Sequence, residues 1–305
     1  RVRDRGEVKT LQKPTFAENL RFFFSYQVGH MYMRYFMWNF VGRQNDVQGH
    51  GGFQNGNWVS GISFIDEPKT GPRDNMPEWM KNDPSRNVYY FLPLLLGLLG
   101  LFFQYNQGKK GKETFAVTML LFILTGIAIV VYLNQYPYQP RERDYAYAGS
   151  FYAFAIWIGL GVLAIHSGLK KVLKGAPGAV LATAISLIAV PGVLASQNWN
   201  DHDRSGKYMT RDYAKNYLES CAPNAILFTY GDNDTFPLWY VQEVEGVRRD
   251  IKIVNISYLG MDWYISQQQF KTYDADPVPF SFTKDKYYMG RMDAVLFQGR
   301  IKGSV

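Results

Sequence analysis

Cysteine is nearly missing from this chain. Cys221 is the single one among 305 residues, so an intramolecular disulfide and a cysteine-based metal cluster are both excluded. Cys221 reads as a small buried apolar residue. Histidine is almost as scarce, and His30, His50, His166 and His202 sit on different segments without metal-ligand spacing. No zinc-finger spacing, Lys/Arg-rich helix or RNA-binding signature is present. The formal net charge of +7 therefore points to an anionic membrane surface and not to nucleic acid. "GHGGFQNG" is not a nucleotide fingerprint, because no strand precedes it and no helix clearly follows. No serine or cysteine occupies a nucleophile motif. The chain opens at Arg1 with neither methionine nor signal peptide, and it reads as an internal fragment of a longer polypeptide.

Charge is absent in a more informative way from four stretches. Val88–Tyr105, Thr114–Leu133 and Ala176–Ala195 hold no charged residue, and Ser150–Leu169 holds only His166 as a titratable group. Each is about 18–20 residues, the length needed to cross roughly 30 Å of hydrocarbon. Four such runs predict a mostly α protein, a polytopic bundle of four spanning helices. Lys109, Lys110 and Lys112 lie between the first two runs, and Lys170, Lys171 and Lys174 between the last two. The positive-inside rule places both lysine groups in the cytoplasm and everything before Val88 and after Ala195 on the other face.

The flanking regions differ from the bundle. Residues 1–87 read as an external amphipathic helix and loop region. Thr15 and Glu18 have capping-box spacing, so a helix begins there. Its aromatic run is interrupted by Glu18, Arg21, Gln27, His30 and Arg34, which suits a helix lying on the membrane or on other helices. Residues 88–195 form the bundle. Residues 196–305 begin a small soluble α/β domain on the non-cytoplasmic side. In it, "NAILFTYG" and "IKIVNISYL" are strands flanking a helix, at the spacing of a parallel βαβ unit.

Three clusters are candidates for chemistry. Arg141, Glu142, Arg143, Asp144 and Tyr145 fill the short connection between the second and third runs, in "QPRERDYAYAGS". Arginine's planar donor fork fits phosphate oxygens, so the connection reads as a lipid-phosphate site; a solvated hairpin with interfacial tyrosines is the alternative. Arg34, Arg43, Asn45 and Asp46 add cations on the same face, or are an interfacial helix end with snorkelling arginines. Asp232, Asn233 and Asp234 follow a strand, where α/β folds place ligands, although aspartates before a helix are also ordinary caps. No metal site is assigned, and the residues alone define no cofactor.

"KPTFAENLRFFFSYQVGHMYMRYFMWNFVGRQND", "YLNQYPYQPRERDYAYAGSFYAFAIWIGLG" and "LFTYGDNDTFPLWYVQEVEGVRRDIKIVNISYL" resemble a bacterial family of large membrane proteins. That family is catalogued as a domain of unknown function and grouped with protein O-mannosyltransferase-like GT-C glycosyltransferases. The resemblance covers most of Pro14 to Leu259. It implies transfer of a sugar from a polyprenyl-phosphate donor to a protein acceptor on the non-cytoplasmic face, often with a divalent cation. It further implies a multi-pass protein of the bacterial inner membrane whose soluble part is periplasmic. In such enzymes the catalytic carboxylate sits in a first external loop, which this chain does not contain. A non-catalytic membrane scaffold that binds a partner, and a transporter of lipid-linked sugars, are the rival functions. Transport is disfavoured by spans with almost no polar residues.

Overall fold

The computed structural model describes residues 2–4, 7–9, 13–49, 54–137, 139 and 142–291. It divides into two compact units, Arg1–Asp203 and Arg204–Val305.

In the first unit the Thr15 hydroxyl accepts from the Glu18 amide, and the Glu18 carboxylate accepts from the Thr15 amide at 2.7 Å, so the capping box is formed. The helix it starts is continuous through Phe40. An α-helical segment Phe16–Phe22 passes into a π-helical one, Phe23–Met33, and returns to α-helix over Arg34–Phe40. Wide π-turns are rare and concentrate at functional sites. The last part of this rod is core: Phe36 and Phe40 pack on Phe154, with ring centroids 4.9 and 4.5 Å apart.

Among the described residues three helices are long and apolar enough to cross a membrane: Gly108–Leu133, Asp144–Leu169 and Ala176–His202. Many of their large apolar side chains, Val117, Leu120, Tyr152 and Ile188 among them, face outward, as lipid-facing residues do. The first apolar run, expected as a fourth span, forms the shorter helix Leu92–Tyr105 of 14 residues. At 1.5 Å per residue it extends about 21 Å, short of the roughly 30 Å hydrocarbon core. Its start is displaced because Asn87–Val88 is used as a strand against Gly42–Arg43. Tyr90 and Phe91 then take left-handed backbone angles to turn the chain into the helix.

Small residues hold this short helix against its neighbour. A β-carbon on Gly100 would collide with the Trp157 carbonyl, and one on Gly161 with the Leu96 carbonyl. Such close backbone approach is how helices associate where no hydrophobic driving force separates them from lipid. The Trp157 indole donates to Gln104 Oε1 at 2.8 Å, pairing two polar groups inside the bundle. Gly97 meets Phe154 while Gly100 meets Trp157, so the Leu92–Tyr105 and Ala148–Leu169 helices run in the same direction. The lysines at 109–112 and at 170–174 follow the ends of these two helices, and therefore share one end of the bundle. The described part of the connection, 142–147, together with Gly42–Arg43 and Asp201, belongs to the other end.

The second unit contains the expected parallel βαβ unit. Strand Ile226–Thr229 pairs in parallel with Lys252–Asn255, joined through helix Asp232–Glu243. Helix Met209–Glu219 completes the layer, and Ala214, Leu218, Leu238, Val241, Ile251 and Ile253 form the core. Arg248 donates to the carbonyls of Leu218, Cys221 and Ala222, closing the end of the Met209–Glu219 helix in the manner of a C-terminal cation cap.

Candidate functional site

Two of the sequence clusters meet in the first unit. Arg34 lies on the turn of helix after the π-segment, and Glu142 enters from the connection 107–108 positions along the chain. Both are buried, 6% and 4% exposed. The Arg34 guanidinium donates to Glu142 Oε2 at 2.5 Å, and the Tyr35 hydroxyl donates to the same oxygen. Arg34 also donates to the His30 carbonyl at 3.1 Å and lies over the rings of Tyr35 and Trp38. Burial works against the charged carboxylate. His30, Tyr35 and Arg34 together outweigh it and hold Glu142 below the usual carboxylate range. Burial, reinforced by the bond to Glu142, pushes the Tyr35 hydroxyl well above its ordinary value, so Tyr35 stays a neutral donor. Glu142 Oε1 has no hydrogen-bond partner among the described residues and faces His30 Nε2 at 3.8 Å. That nitrogen is 2.7 Å from the Gly49 carbonyl oxygen. A carbonyl only accepts, so Nε2 carries the proton in this arrangement.

Beside this cluster a cleft of about 790 Å³ opens, lined in part by Tyr35, Trp38, Arg43, Asp144, Asp201 and His202. The Ala176–His202 helix delivers its acidic wall. Arg43 Nη2 donates to Asp201 Oδ2 at 2.7 Å, and Arg43 Nε to the Ser85 carbonyl at 3.0 Å. Asn87 donates to the same Asp201 oxygen at 2.6 Å and to Asn198 Oδ1 at 3.0 Å, and Asn198 Oδ1 also accepts from the Tyr89 hydroxyl at 2.8 Å. Burial raises the Tyr89 hydroxyl, so it too remains a neutral donor. Asp144 opens the 3₁₀ turn Asp144–Tyr147. Its carboxylate is half-buried on the cleft wall and makes no ion pair or hydrogen bond among the described residues. The cleft thus joins aromatic surface, a neutralised Arg–Asp pair and one uncommitted carboxylate.

The remaining sequence candidates are placed as follows. Arg143 and Tyr145 are exposed; the Arg143 carbonyl accepts from the Ala146 amide at 3.1 Å, while its guanidinium makes no ion pair or hydrogen bond among the described residues. Arg141 lies outside the described residues. Asn45 is buried and structural in its contacts, exchanging hydrogen bonds with Asn55 and the Gly56 amide. Asp46 is exposed, and its amide donates to Ser85 Oγ at 3.2 Å. Asp232, Asn233 and Asp234 form the exposed first turn of a helix in the second unit. The buried Thr229–Thr235–Asn255 hydrogen bonds hold that turn on the strands. Among the described residues no three His, Cys, Asp or Glu side chains converge as a metal site, so these residues do not by themselves build one for the divalent cation that the resemblance implies.

Sequence reasoning missed Asn198, Asp201 and His202. They lie beyond the apolar run that ends at Ala195, on the same helix, which runs from Ala176 to His202. The alternation of Asn and Asp with Trp199 directly after an apolar run was the available signal.

Two comparisons with known proteins find similarity. Residues 210–304 match the family described as TMEM260-associated domain 2. Over 189 residues the chain is 26% identical to the Protein O-mannosyl-transferase tmem260 of Dictyostelium discoideum, a match covering 56% of this chain and 23% of that relative. The chain is thus similar to O-mannosyltransferase-like membrane proteins and spans about a quarter of the length of the curated relative it matches. No solved structure matches it.

Proposed function

We propose that this chain is part of an integral-membrane GT-C-type glycosyltransferase that moves a sugar from a polyprenyl-phosphate donor to a protein acceptor on the non-cytoplasmic face. In a bacterial inner membrane that face is the periplasm. The observation that carries this reading is the cleft bearing Asp144, at the bundle end opposite both lysine groups. An anionic lipid carrier presents its phosphate at the interface, where a cleft at that end meets it.

The residues divide the work. Arg34 and Arg43 are committed to Glu142 and Asp201, so they shape the cleft. Arg143, with Arg141 two positions before it, is the cation left to hold the donor phosphate. As the sugar departs, negative charge grows on that phosphate, and fixed guanidinium donors stabilise the transition state most there. Asp144 is the carboxylate free to accept hydrogen bonds from sugar hydroxyls. The acceptor hydroxyl needs a general base; in the GT-C enzymes that the sequence resembles, that carboxylate sits in a first external loop. The short Leu92–Tyr105 helix is a fourth pass, accommodated by local thinning of the bilayer.

Replacing Arg141 and Arg143 together with alanine in the full-length protein is expected to abolish sugar transfer in isolated membranes while membrane insertion stays intact. Undiminished transfer would overturn the phosphate assignment.

A further inference from the structure

The second unit carries a groove of its own, of about 810 Å³, unconnected with any of the sequence clusters. Its walls are aromatic. Trp239 and Tyr258 stack at 6.5 Å, Tyr258 meets Tyr264 edge-on at 5.4 Å, and Trp263 meets Tyr264 edge-on at 5.6 Å. Phe270 and Tyr273 form the rim. Trp263, Phe270 and Tyr273 are 52%, 68% and 49% exposed, so flat ring faces are presented to solvent.

The charged groups of the groove are already occupied. Lys252 donates to the Phe270 carbonyl and to Thr272 Oγ1, both at 2.7 Å. Arg249 donates to the Gln242 and Glu243 carbonyls and lies over the Tyr273 ring at 4.6 Å. Glu243 accepts from the Tyr273 hydroxyl. The groups left over are uncharged: aromatic faces and the carboxamides of Gln267 and Gln268. Gln268 is only 6% exposed, yet its side chain lines the groove and makes no hydrogen bond among the described residues. Its carboxamide is not among the atoms sealed from solvent, so its donors and acceptor stay open to the groove, where a ligand's hydroxyls can take the place of water.

We infer that this groove binds a saccharide. A pyranose ring offers a C–H face that packs on the electron-rich face of an aromatic ring, and an edge of hydroxyls that both donate to and accept from a carboxamide. A cationic ligand is opposed by Lys252 and Arg249, and an anionic one finds their donors already turned to carbonyl and hydroxyl oxygens. The volume holds more than one sugar ring, so the ligand class is a neutral oligosaccharide or the glycan of a glycoprotein. The site lies wholly within residues 239–273, shares no residue with the Asp144 cleft and does not depend on the transfer reading.

The test is saturation-transfer NMR and tryptophan fluorescence on the full chain, held in a detergent without a sugar headgroup. The probes are methyl glycosides of mannose, glucose, galactose and N-acetylglucosamine, with mannotriose as the longer ligand. Saturation of the C–H protons of at least one probe is expected, with affinity at least tenfold weaker in Trp263→Ala and in Gln268→Leu. Trp263 is half-exposed and leucine is close to glutamine in volume, and circular dichroism checks that both variants remain folded. Absence of transfer to every probe, or binding unchanged in both folded variants, would overturn the proposal. So would Trp263-dependent binding of a proline-rich peptide in the absence of any sugar binding.

Discussion

Exchanging Glu142 for glutamine keeps the side chain's shape and removes its charge, leaving the Arg34 guanidinium buried without a counter-ion. Breaking a buried pair on one side costs about 3–5 kcal/mol. Arg34 keeps the His30 carbonyl at 3.1 Å, a weaker contact to the Gly56 carbonyl at 3.4 Å and two aromatic neighbours, so the lower end, about 3 kcal/mol, is expected. For a unit of this size each kcal/mol moves the midpoint by about 2–4 °C, which gives a fall of about 6–12 °C. Thermal unfolding of the full chain in detergent, followed by tryptophan fluorescence, reads it. The pair Arg34→Met with Glu142→Leu is expected to recover most of the loss, because matched apolar replacement of a buried ion pair is often neutral. The pH dependence follows from the direction in which Glu142 is shifted. Its folded-state pKa lies below the ordinary value of about 4.3, so the difference between wild type and Glu142→Gln is complete above that pH and shrinks as the pH falls further. A shift below about 2 °C for the single variant, or a double variant as unstable as the two single effects added together, would refute the buried-pair reasoning.

Gly100→Val is expected to prevent recovery of monodisperse protein, since its new β-carbon meets the Trp157 backbone, whereas Gly159→Val, on the facing helix with nothing within 4 Å, is expected to be tolerated; equal recovery of both in size-exclusion chromatography would contradict the close-packed helix pair. With Cys221 replaced by serine, a single cysteine at Gln139 is expected to react with an impermeant reagent applied from the non-cytoplasmic side and one at Lys110 to be protected. The reverse labelling pattern would invert the orientation.

Local signals were legible in the sequence, and distant partnerships were not. Thr15 and Glu18 are three apart, and their capping box formed as read. The strand–helix–strand pattern from Asn224 to Leu259 also became a parallel pair, because each piece carries its own periodicity. Arg34 and Glu142 were each picked out, but as members of separate clusters. Nothing local links residues 108 positions apart, and their pairing turns both from free charges into a buried brace. The first apolar run was overestimated for a similar reason. Its opening residues are claimed by a strand partner at Gly42–Arg43, and hydropathy does not register that competition. The cleft's Asp201 and the aromatic groove around Trp263 are assembled from residues scattered over helices and loops, so no spacing announces them.

The most direct test of the transfer account is Asp144→Asn in the full-length protein. The measurement is transfer of labelled sugar from a polyprenyl-phosphate donor to protein in isolated membranes, normalised to folded protein by thermal unfolding. Loss of a charged acceptor facing sugar hydroxyls is worth about 1.5–3 kcal/mol, so transfer is predicted to fall about 10- to 150-fold with the unfolding midpoint unchanged. Transfer at the wild-type rate in folded Asp144→Asn would contradict the placement of the reaction in this cleft.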